Sequence, residues 1–171
     1  MPALLEPSAA DLDVLLALSN THEKEIGTFT KAAFEELVAL SFRTRMTEGR
    51  DAFLIALSDR APAVAPNYRW FASRFARFVY IDRVVVAEGA RQRGLGKLLY
   101  CDLMEAARSA GHTRVCCEVN VDPPNPGSDA FHARLGFEEI GRAFLPDRGK
   151  TVRYLTRTLD RRPGSTARPF P

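Results

Sequence analysis

The sequence predicts an α/β domain, on three observations. Phe78 to Val86 is a nearly continuous apolar, β-branched run, the pattern of a buried strand. Leu95 to about Ala110 carries Leu95, Leu98, Leu99, Leu103, Ala106 and Ala110 at helical spacing and stops at Gly111. Val115 to Val121 is a second buried run. A strand, a helix and a strand in that order form a crossover unit, which pairs the two strands in parallel. A length of 171 residues is enough for one domain with its own core. We place the domain at 1–160 and read 161–171, rich in arginine and proline, as a loose tail.

The remaining elements follow in chain order. Residues 3 to 5 predict a short edge strand. Ser8, with Asp11 three positions on, starts a helix whose stripe is Leu12, Leu15 and Leu16 and which fades near Asn20. The polar segment 21–28 ends in a glycine turn and reads as a loop. Thr30 caps a second helix with Phe34, Leu37, Val38 and Leu40 on its buried side, and Gly49 stops that pattern. Ala52 to Leu57 reads as a strand, and residues 58–67, with Pro62 and Pro66, as a connector. Asn67 to Phe75 fits a short helix or a strand equally well. After the crossover unit comes a stiff Pro-rich turn, then a short helix over 129–135 ended by Gly136. Strands at 137–144 and 152–159 form a hairpin through Pro146–Gly149.

Composition narrows the function classes. No apolar run reaches the roughly 18 residues of a membrane span, and the N-terminus lacks the basic and apolar regions of a secretory signal. Three cysteines argue against a disulfide framework, and Cys116 and Cys117 point to opposite strand faces. We therefore expect a cytoplasmic protein. A net charge of +3 is too small to imply a nucleic-acid partner. His22, His112 and His132 lack ligand spacing, so no metal is expected.

The organising feature is the turn between the first parallel strand and its helix. Gly94 and Gly96 let the backbone approach a ligand closely, and the amides at a helix start point at whatever sits there. Arg91, Arg93 and Lys97 around them make that ligand an anion, most simply a phosphate or diphosphate. A Walker loop is excluded, because Leu98 follows Gly96–Lys97. A dinucleotide fingerprint is excluded because Leu99 stands where the third glycine is required.

Two segments together resemble the GNAT superfamily of N-acetyltransferases. Val84-Val85-Val86 followed by Arg91-Gln92-Arg93-Gly94-Leu95-Gly96 is similar to the acetyl-CoA-binding motif of that family. Glu118-Val119-Asn120, Asn125, Ser128, Ala130-Phe131-His132 and Leu135-Gly136-Phe137 resemble its closing motif. The resemblance covers about 78–141. It implies a mixed, mostly antiparallel sheet flanked by helices, whose central parallel pair splays apart to admit the pantetheine arm. A third strand is implied around 67–75. The resemblance also implies that backbone amides near Val84 and Val86 bond the thioester and the arm, and that amides from Gln92 to Lys97 hold the diphosphate. A fixed N–H aimed at the thioester oxygen would stabilise the charge that acyl transfer builds there.

Candidate chemistry-bearing residues follow. Period-2 spacing puts Phe78, Tyr80, Asp82, Val84 and Val86 on one strand face, with Arg83 opposite and unable to neutralise Asp82. Asp82 is then either half of an ion pair with another element or a general base. Glu118 is the rival base. Asn120, on the same face, is expected to hold splayed backbone or the arm. His132 stands where the family commonly has a tyrosine that protonates the departing thiolate; the other reading is a solvent-facing helix histidine. Asn125 and Ser128 read as helix caps or ligand contacts, Phe131 as core or a wall against the cofactor, and Cys117 as an inert strand thiol.

The resembled fold places the acceptor between the loop joining the first two helices and the last hairpin. Here that means His22, Glu23, Glu25 and Phe29 facing Tyr68, Trp70 and residues 145–150. The expected reaction is acetyl transfer from acetyl-CoA to a primary amine, small-molecule or peptide, in a ternary complex. A non-catalytic acyl-CoA sensor is the alternative. An exposed edge strand would offer a route to a homodimer.

Overall fold

A computed structural model of the chain describes residues 2–62 and 65–160; the tail reading at 161–171 lies outside them, as does the Glu25 side chain. The strands are β1 (Leu4–Leu5), β2 (Arg43–Thr47), β3 (Ala52–Ser58), β4 (Val79–Val86), β5 (Arg114–Asp122), β6 (Glu138–Leu145) and β7 (Lys150–Thr158). The helices are α1 (Ala9–Asn20), α2 (Glu23–Ile26), α3 (Lys31–Leu40), α4 (Pro66–Ala72), α5 (Leu95–Ser109) and α6 (Pro126–Arg134). The strands form one sheet in the order β1-β2-β3-β4-β5-β7-β6. Every pairing is antiparallel except β4 with β5. This is the expected mixed sheet with one parallel pair at its centre.

Local chemistry accounts for the helix ends. The Ser8 N–H and hydroxyl both donate to the Asp11 carboxylate, at 2.9 and 2.6 Å, which starts α1. Thr30 accepts from the Ala33 N–H and starts α3. Pro66, whose ring presets a helical φ, occupies the first turn of α4. Gly111, at φ +78°, follows α5 in the left-handed conformation that ends helices.

Three sequence expectations need correction. Segment 21–28 contains the short helix α2 rather than loop alone. The second helix ends at Leu40, not near Gly49, because 43–47 forms β2. That strand was hidden by its polar residues, whose partners are distant: Arg43 grips Asp102 of α5 with Nε at 2.5 Å and Nη2 at 2.7 Å. Finally, 66–72 is helical, so the third strand implied around 67–75 does not form there.

Two layers cover the sheet. On one face Leu95, Leu99, Leu103 and Ala107 of α5 pack on Leu54, Ala56, Val79, Ile81, Val115 and Cys117. On the other face Leu15 of α1 and Phe34 of α3 pack on Phe53, Ile55 and Val85. Beside them, Tyr68 and Phe71 of α4 pack on Phe78, Tyr80, Cys116 and Tyr154. Cys116 and Cys117 thus face opposite sides, as expected, and remain free thiols.

Trp70 stacks on Tyr154 with ring centroids 4.0 Å apart and lies against the bare backbone of Gly141. A Cβ at position 141 would come within 2.6 Å of Trp70 Cζ2. Gly141→Ala is therefore expected to destabilise the protein by about 1–3 kcal/mol in urea unfolding, the cost of overpacking a filled contact. An unchanged midpoint would show that the indole moves freely.

Candidate active site

β4 and β5 are in register only at Val79–Val115 and Tyr80–Cys116. Beyond these pairs β4 continues to Val86 and β5 to Asp122. The facing edges are therefore parted over most of their length and leave backbone groups without a ladder partner. The resulting cleft is lined by Val84, Val85 and Val86 from β4 and by Cys117, Glu118, Val119 and Asn120 from β5. It runs to the glycine turn.

At that turn Gln92 (φ +63°) and Gly94 (φ +78°) both adopt the left-handed conformation, which bends the backbone sharply into α5. The Leu98 N–H bonds the Gly94 carbonyl as the helix opens. The amides of Leu95, Gly96 and Lys97 precede that bond and have no intrahelical acceptor. Gly96 packs closely under Phe131, whose ring a Cβ at this position would meet at 3.2 Å. Phe131 is thus a wall of the cleft.

Arg91 and Lys97 line the cleft, with Arg91 Nη2 3.4 Å from His22 Nε2. Arg93 is turned aside, its Nη1 2.7 Å from Asp51. The sequence alone could not separate the three cations, because Asp51 reaches the turn only through the β3–β4 pairing. Asn125 accepts from the Ser128 N–H at 3.2 Å and caps α6, and both residues also line the cleft. Free amides and two cations at the turn fit a diphosphate, and the parted edges fit a narrow amide-bearing arm. The site therefore fits coenzyme A.

Glu118 sits at the point where the strands separate. Its Oε1 accepts from the Tyr80 hydroxyl at 3.1 Å, while Oε2 is buried without a hydrogen-bond partner among the described residues. Burial pushes this carboxyl up to about 7; the negative charge of Asp82 adds to the rise, and Tyr80 and Asn67 oppose it. The Tyr154 hydroxyl donates to Asn67 Oδ1 at 3.0 Å, which orients the Asn67 amide group. Tyr80, Asn67 and Tyr154 are parts of the site that sequence reasoning missed. They come from β4, α4 and β7 and share no spacing signal.

Asp82 differs from its expected geometry. Ala56 pairs with Ile81 and Ile55 with Arg83, so Asp82 is an extra residue in β4, a bulge. The bulge resets the side-chain alternation: Val79, Ile81, Val84 and Val86 face α5, while Phe78, Tyr80 and Val85 face the other layer. The single face running from Phe78 through Asp82 to Val86 is therefore not formed. Asp82 and Arg83 pair instead, with Nε to Oδ2 at 3.1 Å. The Asp82 carboxyl is raised by burial against the opposing pull of Arg83.

His132 is not solvent-facing. It is 4% exposed, at the junction of α5 and α6. Nδ1 lies 2.8 Å from the Ser128 carbonyl, which can only accept, so Nδ1 carries the proton. Nε2 then accepts from the Tyr100 hydroxyl at 2.8 Å. Burial lowers the pKa of the ring, which favours this neutral form. Both nitrogens are engaged, so no proton of His132 is directed at a leaving sulfur. His132→Phe is expected to cost about 1–3 kcal/mol by stranding the buried Tyr100 hydroxyl. In a Tyr100→Phe background the same replacement should cost less. Equal costs in the two backgrounds, read from urea unfolding, would contradict the bond.

The acceptor end is only partly as expected. His22 and Phe29 line it, with Ile26, Pro66, Asn67, Asp147, Arg148 and Lys150. Tyr68 and Trp70 do not: the Tyr68 hydroxyl bonds the Ser58 carbonyl at 2.8 Å, and Trp70 is stacked on Tyr154. Glu23 is also absent from the lining. Cys117 lines the cleft, with burial raising its thiol well above the ordinary range, as an inert thiol requires. Among the described residues no group of His, Cys, Asp and Glu could hold a metal ion, and no helix is long and apolar enough to cross a membrane.

Comparison with known proteins agrees with this geometry. Residues 63–137 match the model of the Acetyltransferase (GNAT) family. The chain is 34% identical over 109 residues to glucosamine 6-phosphate N-acetyltransferase 1 of Oryza sativa subsp. japonica, covering 64% of this chain and 62% of that protein. It is 40% identical over 58 residues to phosphinothricin N-acetyltransferase of Streptomyces coelicolor, covering 34% and 33%. The matches therefore span under two thirds of each curated relative. Among solved structures, the ribosomal-protein-S18-alanine N-acetyltransferase of Escherichia coli superposes with a TM-score of 0.69 at 14% identity, covering 97% of this chain and 99% of that one. The Salmonella typhimurium protein yncA, solved with its cofactor acetyl-CoA, gives 0.68 at 18% identity, covering 98% and 99%. The stretch that carries the parted central strands and the basic glycine turn thus matches the acetyltransferase (GNAT) family, and the chain as a whole shares the fold of these solved structures.

Proposed function

We propose that the protein transfers an acetyl group from acetyl-CoA to a primary amine, by direct attack in a ternary complex, with Glu118 as general base. The observation that carries this reading is Glu118 itself: a carboxyl poised near 7, with one oxygen unpartnered, at the mouth of the parted strands. A base of that pKa is half ionised near neutrality and can take the proton that keeps an ammonium from attacking. The Tyr80 hydroxyl holds the carboxylate in place. Asp82 acts through its charge, which keeps Glu118 basic, rather than by contact with the amine.

Bound acetyl-CoA would supply the activated acetyl thioester. The turn amides at 92–97, with Arg91 and Lys97, would hold its diphosphate. Unpaired amides near Val84 and Val86 would receive the arm, alongside Asn120, Asn125, Ser128 and Phe131. We assign Arg93 to fixing the turn through Asp51, and His132 to positioning Tyr100 and α6 in place of the expected proton donor.

The test is release of free thiol from acetyl-CoA across a panel of primary amines. Amine-dependent release is expected, with kcat/KM rising through about pH 7 as Glu118 ionises. A protein that binds coenzyme A but releases no thiol with any amine would instead be a sensor.

A further inference from the structure

Charges of both signs line the acceptor end: Glu118 on β5, the Asp82–Arg83 pair on β4, and Asp147, Arg148 and Lys150 at the turn into β7.

Arg83 is 5% exposed and cannot move freely. Its Nε donates to Asp82, its Nη1 donates to Ser19 Oγ at 2.6 Å, and its guanidinium lies 4.0 Å over the Phe29 ring. Nη2 makes no hydrogen bond to the described residues. Arg148 projects from the β6–β7 turn close enough to lower the pKa of Arg83 and to stabilise the Asp82 carboxylate. Asp82 thus has one guanidinium in contact and feels the charge of a second, at a partly buried wall. Lys150 adds a third cation, with Nζ donating to the Lys24 carbonyl. A cavity wall with fixed, under-neutralised N–H donors is suited to a planar or tetrahedral oxyanion.

We propose that the acceptor is a small zwitterion, an amine whose other end is an oxyanion (a carboxylate or a phosphate) bound by Arg83 and Arg148. The inference rests on the acetyl-transfer reading for the orientation of the ligand, amine toward Glu118 and anion toward Arg148. Ile26, Phe29 and Pro66 add apolar lining to this end.

Binding separates the two claims. Matched amines are titrated calorimetrically into protein saturated with coenzyme A: glucosamine 6-phosphate against glucosamine for the phosphate arm, alanine against alaninamide for the carboxylate arm. At least one anionic member should bind about ten-fold or more tightly than its neutral partner, since one charge-assisted hydrogen bond is worth that much. The arm showing the preference identifies the oxyanion. Arg148 is exposed in a turn, so Arg148→Ala should fold normally and bring the ratio toward one. Equal affinities within both pairs, or a preference that survives Arg148→Ala, would overturn the proposal. Thiol release is read separately, so failure of acetyl transfer and failure of anion selectivity are distinguishable.

Discussion

Glu118→Gln is expected to lower kcat by roughly 10²–10⁴-fold, the usual worth of a general base, while leaving coenzyme A binding intact. The same replacement should make the protein more stable at alkaline pH. A carboxyl whose folded pKa is raised favours the folded state only while it is protonated. Stability is therefore lost as pH climbs from its ordinary value of 4.5 through about 7. A shift of that size corresponds to about 3 kcal/mol, which the amide, unable to ionise, does not lose. Urea unfolding at pH 5 and pH 8 should converge for the variant and diverge for the parent. A variant equally active, or equally pH-sensitive in its stability, would remove Glu118 from the mechanism. Gain in stability with loss of rate is the pattern of a strained functional group rather than a packing residue.

The second large effect concerns the turn. Coenzyme A at about 100 times its Kd should stabilise the fold by about 2.7 kcal/mol, which for a domain of this size is a rise in Tm of roughly 5–10 °C. Arg93→Glu should abolish that rise. It places a carboxylate beside Asp51, releasing the tether that holds the turn, and sets a negative charge next to the diphosphate. Lys97→Glu should lower the rise through charge alone, without disturbing Asp51. A full ligand-induced shift in both variants would mean that the anion binds elsewhere.

How far the sequence reveals this arrangement depends on the distance over which each feature is encoded. The crossover unit is legible because its signals are local: the Phe78–Val86 run, the helical spacing of Leu95, Leu98, Leu99, Leu103, Ala106 and Ala110, and the glycines at 94, 96 and 111. The capping of α1 by Ser8 is legible for the same reason, whereas α6 begins at Pro126 and not at the predicted 129. β2 is not, because Arg43 and Thr44 look like helix surface until Asp102 and the sheet are in place. The bulge at Asp82 is the most consequential omission. No residue of β4 announces it, and it reverses the side-chain alternation that period-2 counting assigns from Asp82 onward. Arg83 consequently pairs with its own neighbour, and the catalytic candidates reorder. The proposed role of Glu118 draws on Tyr80, Asn67 and Tyr154, which come from three elements far apart in the chain. His132 illustrates the same limit: its place in α6 is readable, but its bond to Tyr100 depends on how α5 and α6 meet.

The measurement that bears most directly on the account is an experimental structure with coenzyme A bound. The account predicts the diphosphate on the amides of 92–97 and the arm between β4 and β5 beyond Tyr80 and Cys116, with its sulfur beside Glu118. A cofactor seated outside that gap, or strands that close on each other along their whole length, would contradict it.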